Sequence, residues 1–325
     1  MSTPSSSLAA AGADPDLAEA LACLRPGPQA DVGRAVAMLR GAATRGVAEA
    51  DCYLATLAGA GVGMSQSWTR AVDHLVDAAA AGSGRARGQL ATLAAQETWG
   101  PGEQPGAEPW RTLAASVRLD DWTAPCAKRV LRDSPRTVAI KGFLPRSVGA
   151  WLVGLAAGRL TRALVFGTSD ANPASTDART NTAYEIPFAE CDVVVLLLRA
   201  RIAATIGVPV TALEPSQILH YDVGETFALH HDFLDTRQPA FAEEVRARGQ
   251  RIVTFLVYLS EDYDGGETDF PALGLRHRGG NGDALYFGNI DRAGAPDPRT
   301  LHAGLPPTRG EKWLFSQWIR DRARI

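Results

Sequence analysis

The first hundred residues contain an internal repeat, which restricts the possible fold of this chain more than any other feature. Its apolar members are spaced by three or four residues, so they lie on one face of a helix. Repeats of this period predict helix–turn–helix units that stack as a solenoid. At a constant offset of 36 residues, the first copy contains Arg34, Ala35, Val36, Leu39, Ala42, Ala43, Gly46, Ala50 and Leu54, and the second contains Arg70, Ala71, Val72, Leu75, Ala78, Ala79, Gly82, Ala86 and Leu90.

The texture of the sequence changes beyond this repeat. A stretch dense in Gly and Pro, from Gly100 to Pro109, should break regular structure. Helices are predicted at 143–160 and 191–206. Short segments rich in Val, Ile, Leu and aromatic residues, bounded by Gly, Pro, Asp or Asn, are typical of strands in a sandwich or jelly roll. These predicted strands are Val138–Ile140, Gln217–Tyr221, Arg251–Leu259, Glu267–Phe270, Ala284–Phe287 and Trp313–Ile319.

We therefore predict an α+β protein of two modules. An α-helical, solenoid-like repeat module occupies residues 15–97, a linker occupies 98–136, and a jelly-roll domain with flanking helices occupies 137–325. The chain of 325 residues is long enough for two such domains.

Composition restricts the function classes. The chain is 46% hydrophobic and 21% charged, as in ordinary globular proteins, and its net charge of -3 provides no basic footprint for nucleic acid. Its four cysteines form no Cys-x-x-Cys pair, which suits a reducing compartment and argues against a disulfide scaffold or structural zinc. Residues 1–15 lack the features of a secretion signal, and no apolar run is long enough to span a bilayer. We expect a soluble, cytoplasmic protein without nucleic-acid or membrane partners.

The strongest chemical signal is His230-His231-Asp232. In a strand, residues two apart point to the same face, so His230 and Asp232 can fill adjacent positions on a divalent metal, whereas His231 points away. A third ligand must come from elsewhere, and His302 is the candidate. Two histidines and one carboxylate on one face of an octahedron form the facial triad of non-haem Fe(II) oxygenases.

The three open positions of such a centre suit a chelating 2-oxoacid and O2. A co-substrate such as 2-oxoglutarate also carries a distal carboxylate, which needs a cation when it is buried. Lys312 follows His302 by ten residues, next to the predicted strand at Trp313. Lys312 is therefore the candidate partner of that carboxylate.

The ordered motifs of the C-terminal half resemble the prolyl 4-hydroxylase branch of the 2-oxoglutarate- and Fe(II)-dependent dioxygenases. The resemblance extends from about Val138 to Arg320, and Phe227 departs from it by replacing the second tyrosine of the first motif. The matching residues are Tyr221, Gly224, His230 and Asp232; Arg251, Thr254, Tyr258 and Leu259; Gly265-Gly266-Glu267-Thr268, Phe270 and Pro271; Gly282-Asp283-Ala284-Leu285 and Phe287; and His302, Gly304, Pro306, Gly310, Lys312 and Trp313.

This resemblance implies a double-stranded β-helix, Fe(II), 2-oxoglutarate and O2 as cofactor and co-substrates, and ascorbate as a candidate reductant. His230, Asp232 and His302 would bind iron. Lys312 would bind 2-oxoglutarate with help from the hydroxyls of Tyr221 and Tyr258, and no catalytic residue beyond the metal centre is implied. The reaction would hydroxylate a C–H bond of a protein or peptide side chain, with proline the first expectation, and would release succinate and CO2. Arg179 and Arg251 are candidates for the substrate cleft.

The helical repeats are similar to the Sel-one-like family, a relative of tetratricopeptide repeats. They would either stabilise the oxygenase domain by packing or present a groove to a protein substrate. Two other functions stay open on the sequence alone. One is a hydroxylase of a free amino acid or small metabolite with the same cofactors. The other is a catalytically inactive interaction scaffold, although the complete triad and Lys312 argue against it.

Overall fold

The computed structural model describes residues 14–25, 27–28, 30–95, 107–163, 165–166, 173–174 and 177–323. The chain forms two compact units. The N-terminal unit comprises the chain up to Thr123 together with Phe188–Ala200, and the C-terminal unit comprises Ala124–Pro187 and the chain from Arg201 onward. None of the helices in the described ranges combines the length and the apolar character that crossing a membrane requires.

The N-terminal unit is built from helices that begin at polar capping residues. The side chains of Asp14, Asp31, Ser67 and Ser83 each accept a hydrogen bond from a backbone N–H in the first helical turn, as N-caps do. The helices described here are α1 (Pro15–Leu24), α2 (Val32–Thr44), α3 (Ala48–Ala60), α4 (Trp68–Ala80), α5 (Gly84–Leu93), α6 (Ala107–Ala115) and α7 (Leu119–Thr123).

The 36-residue repeat coincides with the buried face of these helices. Ala35 and Leu39 on α2, and their repeat partners Ala71 and Leu75 on α4, are all fully buried. Gly46 lies in the turn between α2 and α3 with φ of +84°, a left-handed conformation that favours glycine. The sequence therefore predicts the ends of these helices correctly.

The predicted linker at 98–136 is described only from residue 107 onward. In that part it contains α6, α7 and the strand β1, so that segment has regular structure. Most of the Gly- and Pro-rich stretch at 100–109 and residues 96–97 of the predicted repeat module lie outside the described residues.

The C-terminal unit consists mainly of antiparallel strands. Its helices are α8 (Arg146–Ala156), the second part of α9 (Val193–Ile206) and α10 (Pro239–Arg248). Its strands are β1 (Arg129–Asp133), β2 (Arg136–Ile140), β3 (Thr161–Arg162), β4 (Val165–Phe166), β5 (Pro173–Ala174), β6 (Thr182–Glu185), β7 (Gln217–Tyr221), β8 (Phe227–His230), β9 (Arg251–Tyr258), β10 (Asp264–Gly265), β11 (Thr268–Phe270), β12 (Leu275–His277), β13 (Ala284–Gly288), β14 (His302–Gly304), β15 (Pro307–Arg309) and β16 (Lys312–Arg320).

Two sheets of the C-terminal unit position the site. The large sheet has the order β1-β2-β13-β9-β16-β7-β6-β3, and the small sheet has the order β12-β11-β14-β8. Apolar side chains of both sheets pack together in one core cluster, where the ring of Phe270 on β11 meets that of Phe287 on β13 edge-on at 4.9 Å. The α+β class is thus confirmed, and a face of each sheet is covered by the other.

The predicted strands agree with the observed ones to within two residues, whereas one predicted helix is too long. Helix α8 spans Arg146–Ala156 instead of residues 143–160. It begins late because Pro145 is the N-cap residue in an extended conformation. It ends early because the chain turns at Gly158, which has φ of +74°.

Candidate metal centre

The three predicted metal ligands converge beside the small sheet. Strands β8 and β14 pair so that His302 lies directly opposite His230. Nε2 of His230 is 3.7 Å from Oδ1 of Asp232, and Nε2 of His302 is 3.5 Å from Oδ2 of the same carboxylate. One ligand atom from each residue lies within 4.8 Å of the other two. This spacing is compatible with all three side chains binding one divalent ion.

The expectation that one strand carries both His230 and Asp232 is wrong. Strand β8 ends at His230, and Asp232 lies in the bend that follows. The two side chains therefore converge because the chain bends, and strand alternation does not apply at Asp232. His231 points elsewhere, as expected, with its Nε2 atom 3.1 Å from the carbonyl oxygen of Pro298.

Backbone carbonyls determine the tautomer of both histidines. Nδ1 of His230 is 2.7 Å from the carbonyl oxygen of Ala228, and Nδ1 of His302 is 2.9 Å from that of Thr300. A carbonyl oxygen can only accept a hydrogen bond, so each Nδ1 carries the proton. Each Nε2 then presents its lone pair towards Asp232, which is the arrangement that metal-binding histidines need.

The electrostatics of the three side chains also suit a cation. Burial lowers the pKa of His230 to about 3 and also lowers the pKa of His302, so both imidazoles are neutral at pH 7. Burial raises the pKa of Asp232, but the hydrogen bond from Thr254 is among the interactions that favour the ionised carboxylate, and the net shift of the pKa is downward. The site therefore presents two neutral donors and one carboxylate.

Lys312 is a buried cation beside this centre. Its side chain is 0% exposed, and no described residue accepts a hydrogen bond from its Nζ atom. The ammonium lies 4.8 Å from the ring centroid of Tyr221, the residue opposite it on β7. Burial lowers the pKa of Lys312 to about 7. An uncompensated buried ammonium is costly, so this position is suited to an anionic ligand.

One pocket joins the metal ligands to Lys312. Tyr221 lines it from the large sheet, and its hydroxyl would lie 3.3 Å from a Cβ atom added at Gly304, so glycine leaves room for the phenol. The residues that line this pocket are Arg179, Gln217, Leu219, Tyr221, Phe227, His230, Asp232, Thr254, Leu256, Thr268, His302, Gly304, Lys312, Leu314, Ser316 and Trp318. Sequence reasoning missed the contributions of Gln217, Thr268 and Ser316, whose separate strands meet only in the folded sheets.

Arg179 belongs to the same pocket, as the sequence predicts. It is buried, and its Nε atom donates a hydrogen bond to Oδ1 of Asn181 at 3.1 Å. Its guanidinium lies 4.4 Å above the ring of Phe227, whose other neighbour is the imidazole of His230, stacked with a centroid distance of 3.5 Å. The phenylalanine that departs from the family motif is thus packed against a metal ligand.

Two predicted site residues lie outside the pocket. Tyr258 does not line the pocket: its hydroxyl is 3.3 Å from Oγ1 of Thr268, which does line it, and donates a hydrogen bond to the carbonyl oxygen of His277. Arg251 forms an ion pair with Glu214 at 2.7 Å and stacks its guanidinium over Trp318 at 3.6 Å. Arg251 therefore reaches the pocket only through Trp318, one of its walls.

Comparison with known proteins identifies the class of this site. The signature of the 2OG-Fe(II) oxygenase superfamily matches residues 216–320, the segment that contains the triad and Lys312. Prolyl 4-hydroxylase 1 from Arabidopsis thaliana is 29% identical over 204 residues, 58% of this chain and 70% of that protein. Probable prolyl 4-hydroxylase 6 from the same plant is 31% identical over 209 residues, 58% of this chain and 70% of that protein. A solved structure of the viral collagen prolyl hydroxylase from Paramecium Bursaria Chlorella virus-1 aligns with 57% of this chain and 95% of that chain, at 26% identity and a TM-score of 0.43.

The chain belongs to the prolyl 4-hydroxylase family within this superfamily. It is a 2-oxoglutarate-dependent dioxygenase that uses Fe(II), 2-oxoglutarate and O2. The three grouped side chains His230, Asp232 and His302, with their neutral imidazoles, fit Fe(II). The ammonium of Lys312, which has no hydrogen-bond partner among the described residues, fits a carboxylate of 2-oxoglutarate. The use of ascorbate and the cytoplasmic location stay predictions.

Proposed function

We propose that this enzyme hydroxylates prolyl residues of a protein or peptide. The observation that carries the proposal is the placement of His230, Asp232 and His302 in the same pocket as the buried Lys312, whose Nζ atom has no hydrogen-bond partner among the described residues. The relatives named prolyl 4-hydroxylases support the choice of substrate.

In this proposal the residues of the pocket divide the work between them. His230, Asp232 and His302 hold Fe(II), and Lys312 binds the distal carboxylate of 2-oxoglutarate. The bound iron supplies the redox chemistry that couples decarboxylation of 2-oxoglutarate to succinate with oxygen insertion into a C–H bond. Leu219, Leu256 and Leu314 line the pocket with apolar surface, which excludes water from the co-substrate. Arg179, which also lines the pocket, is a further charged group that a peptide substrate could meet there.

Anaerobic titration of the protein with Fe(II) and 2-oxoglutarate tests this function. We expect a visible metal-to-ligand charge-transfer band, followed under O2 by succinate formation and by a mass gain of one oxygen on prolyl residues of a peptide substrate. If neither the band nor succinate appears, the scaffold hypothesis replaces the enzyme. If succinate forms with a free amino acid and never with peptides, the small-metabolite hypothesis replaces the prolyl substrate.

We also propose that the two facing sheets form a double-stranded β-helix and that the N-terminal helices are Sel-one-like repeats. Equivalent positions 36 residues apart are buried on the two helices, which supports the repeats: Ala35, Val36, Leu39 and Ala42 on α2, and Ala71, Val72, Leu75 and Ala78 on α4. The boundaries 15–97, 98–136 and 137–325 stay predictions. Truncation is a poor test of the helical unit, because Phe188–Ala200 belongs to it as well. Within that unit, Gln89 accepts a hydrogen bond from the backbone of Val193 at 2.9 Å.

The N-terminal unit contains a cleft that we propose as the docking site for a basic segment of the substrate. The cleft has a volume of about 670 Å³, and its titratable lining residues are Arg40, Asp51, His74 and Asp77. Oδ1 of Asp51 is 2.9 Å from Nδ1 of His74. Burial and the charge of Asp51 raise the pKa of Asp77, so a positive group brought near these carboxylates would be favourable.

Asp77→Asn is expected to raise the KM for a protein substrate by up to about fivefold, the effect of one partly exposed charge pair. Steady-state kinetics with the intact protein substrate measure it, and the KM for 2-oxoglutarate should not change. Asp73→Asn is the matched control, since Asp73 is also an exposed carboxylate on α4 but does not line the cleft. Equal behaviour of the two variants would remove the cleft from substrate docking.

A further inference from the structure

The carboxylate of Asp232 is held by a buried hydrogen-bond relay. Oγ1 of Thr254 lies 2.7 Å from Oδ2 of Asp232, and Nδ2 of Asn289 lies 3.0 Å from Oγ1 of Thr254. All three side chains are buried. We call these three residues and their two hydrogen bonds the Asn289–Thr254–Asp232 relay.

The chemistry of the groups determines the direction of the relay. An ionised carboxylate only accepts hydrogen bonds, so the single hydroxyl proton of Thr254 must be donated to Asp232. Oγ1 of Thr254 is then left as an acceptor, and the group of Asn289 that faces it must be the NH₂. The relay therefore leaves Oδ1 of Asn289 buried, and no described residue donates a hydrogen bond to that atom.

The large sheet holds both donors of the relay in place. Thr254 is on β9, paired with Phe287 on one neighbouring strand and with Trp318 on the other. Asn289 follows β13 directly, and its backbone N–H donates to the carbonyl oxygen of Ile252 at 2.8 Å. Backbone pairing with neighbouring strands thus holds both residues from which these side chains project.

Asp232 itself lacks that support. It lies in the bend after β8, outside the strand pairing that places His230 and His302. Since Oδ2 receives the hydroxyl of Thr254, Oδ1 is the oxygen without a hydrogen bond from any described residue, and it faces Nε2 of His230. The orientation of this carboxylate depends on the relay more than on its own backbone.

We propose that Thr254 and Asn289 are positioning residues for the metal centre: the relay orients Asp232 so that its carboxylate faces both imidazoles, with Oδ1 towards His230 and Oδ2 towards His302. This inference rests on the proposed metal-dependent function. It assigns a role to Thr254, whose hydroxyl is donated to Asp232, and to Asn289, which does not line the pocket.

Metal affinity without turnover tests the relay. Thr254→Val preserves the shape of the side chain and removes the hydroxyl, and we expect the Kd for Mn(II), measured anaerobically as a stand-in for Fe(II), to rise by about 10–100-fold. Thr254→Ser restores the hydroxyl and should restore most of the affinity. Thr137→Val is the matched control, because Thr137 is an equally buried strand threonine whose hydroxyl donates to the carbonyl oxygen of Pro135.

Asn289→Leu provides a second, independent measurement. It should weaken Mn(II) binding less than Thr254→Val does, because the Thr254–Asp232 hydrogen bond remains. In the Thr254→Val background it should cause no further loss, since the two side chains act through one path. Fully additive losses would contradict a relay and indicate two separate packing effects.

The outcomes separate this inference from the function on which it rests. If the wild-type protein binds neither Mn(II) nor 2-oxoglutarate, the proposed function fails. If the wild-type protein binds Mn(II) and both Thr254→Val and Asn289→Leu bind it as tightly, only the relay is overturned. If Thr254→Val does not fold, as judged by circular dichroism, unchanged affinity in Asn289→Leu alone overturns it.

Discussion

Replacing either His230 or Asp232 by alanine is expected to reduce succinate formation to background while the far-UV circular dichroism spectrum stays that of the wild type. Each substitution removes one of three metal ligands, and the remaining two donors no longer define a face of an octahedron. The fold should survive, because His230 ends an edge strand and is only partly buried. Succinate release with peptide substrate is the measurement.

His231→Ala is the matched control for this prediction. It removes an imidazole one residue away, whose Nε2 atom contacts the carbonyl oxygen of Pro298 and not the metal centre. We expect this variant to keep its activity. Retained turnover in His230→Ala, or loss of turnover in His231→Ala alone, would mean that the ligands are assigned to the wrong histidine.

The second large effect concerns Lys312. Lys312→Ala should raise the KM for 2-oxoglutarate by about a hundredfold, since removing one partner of a buried ion pair costs about 3 kcal/mol. The remaining carboxylate would be buried in a pocket lined by Leu256 and Leu314 without a cation to pair with. The KM from initial rates at saturating peptide measures the effect.

Removing a surface lysine far from the pocket in sequence controls for the loss of one positive charge. Lys141→Ala should leave the KM for 2-oxoglutarate unchanged, because Lys141 is exposed and forms an ion pair with Asp283.

The pH dependence of 2-oxoglutarate binding gives a further check. Lys312 has a pKa of about 7 before the anion binds, and the bound carboxylate raises it. Binding of 2-oxoglutarate should therefore not vary with pH below about 7 and should weaken above it, as protons must be taken up. An unchanged KM in Lys312→Ala would place the anion elsewhere.

The sequence predicted the strands that carry the site because their apolar runs are short and clearly bounded. Gln217–Tyr221 was predicted to the residue, and Lys312 is the first residue of β16, one residue before the predicted start at Trp313. The bend at Asp232 was missed, since strand alternation is a local rule and the relay that orients this carboxylate comes from β9 and the end of β13.

Local sequence patterns also could not predict the partners of Tyr258 and Arg251. Tyr258 carries a hydroxyl in a family motif, but its contacts with Thr268 and His277 arise from strand pairing that no local pattern encodes. Arg251 is neutralised by Glu214, which is 37 residues away in sequence. The assignment of Phe188–Ala200 to the N-terminal unit could not be predicted for a similar reason. Helix α9 runs without interruption from Val193 to Ile206, so it contains no signal for a boundary between units.

The cross-strand pairing of His230 with His302 has a consequence for how such an enzyme can diversify. Both histidines belong to one antiparallel pair of short strands, so the length of the chain between them does not affect their separation. That intervening chain includes α10, in which no residue is fully buried. Insertions or replacements in this surface segment can therefore accumulate over evolution while the oxidative chemistry is inherited unchanged.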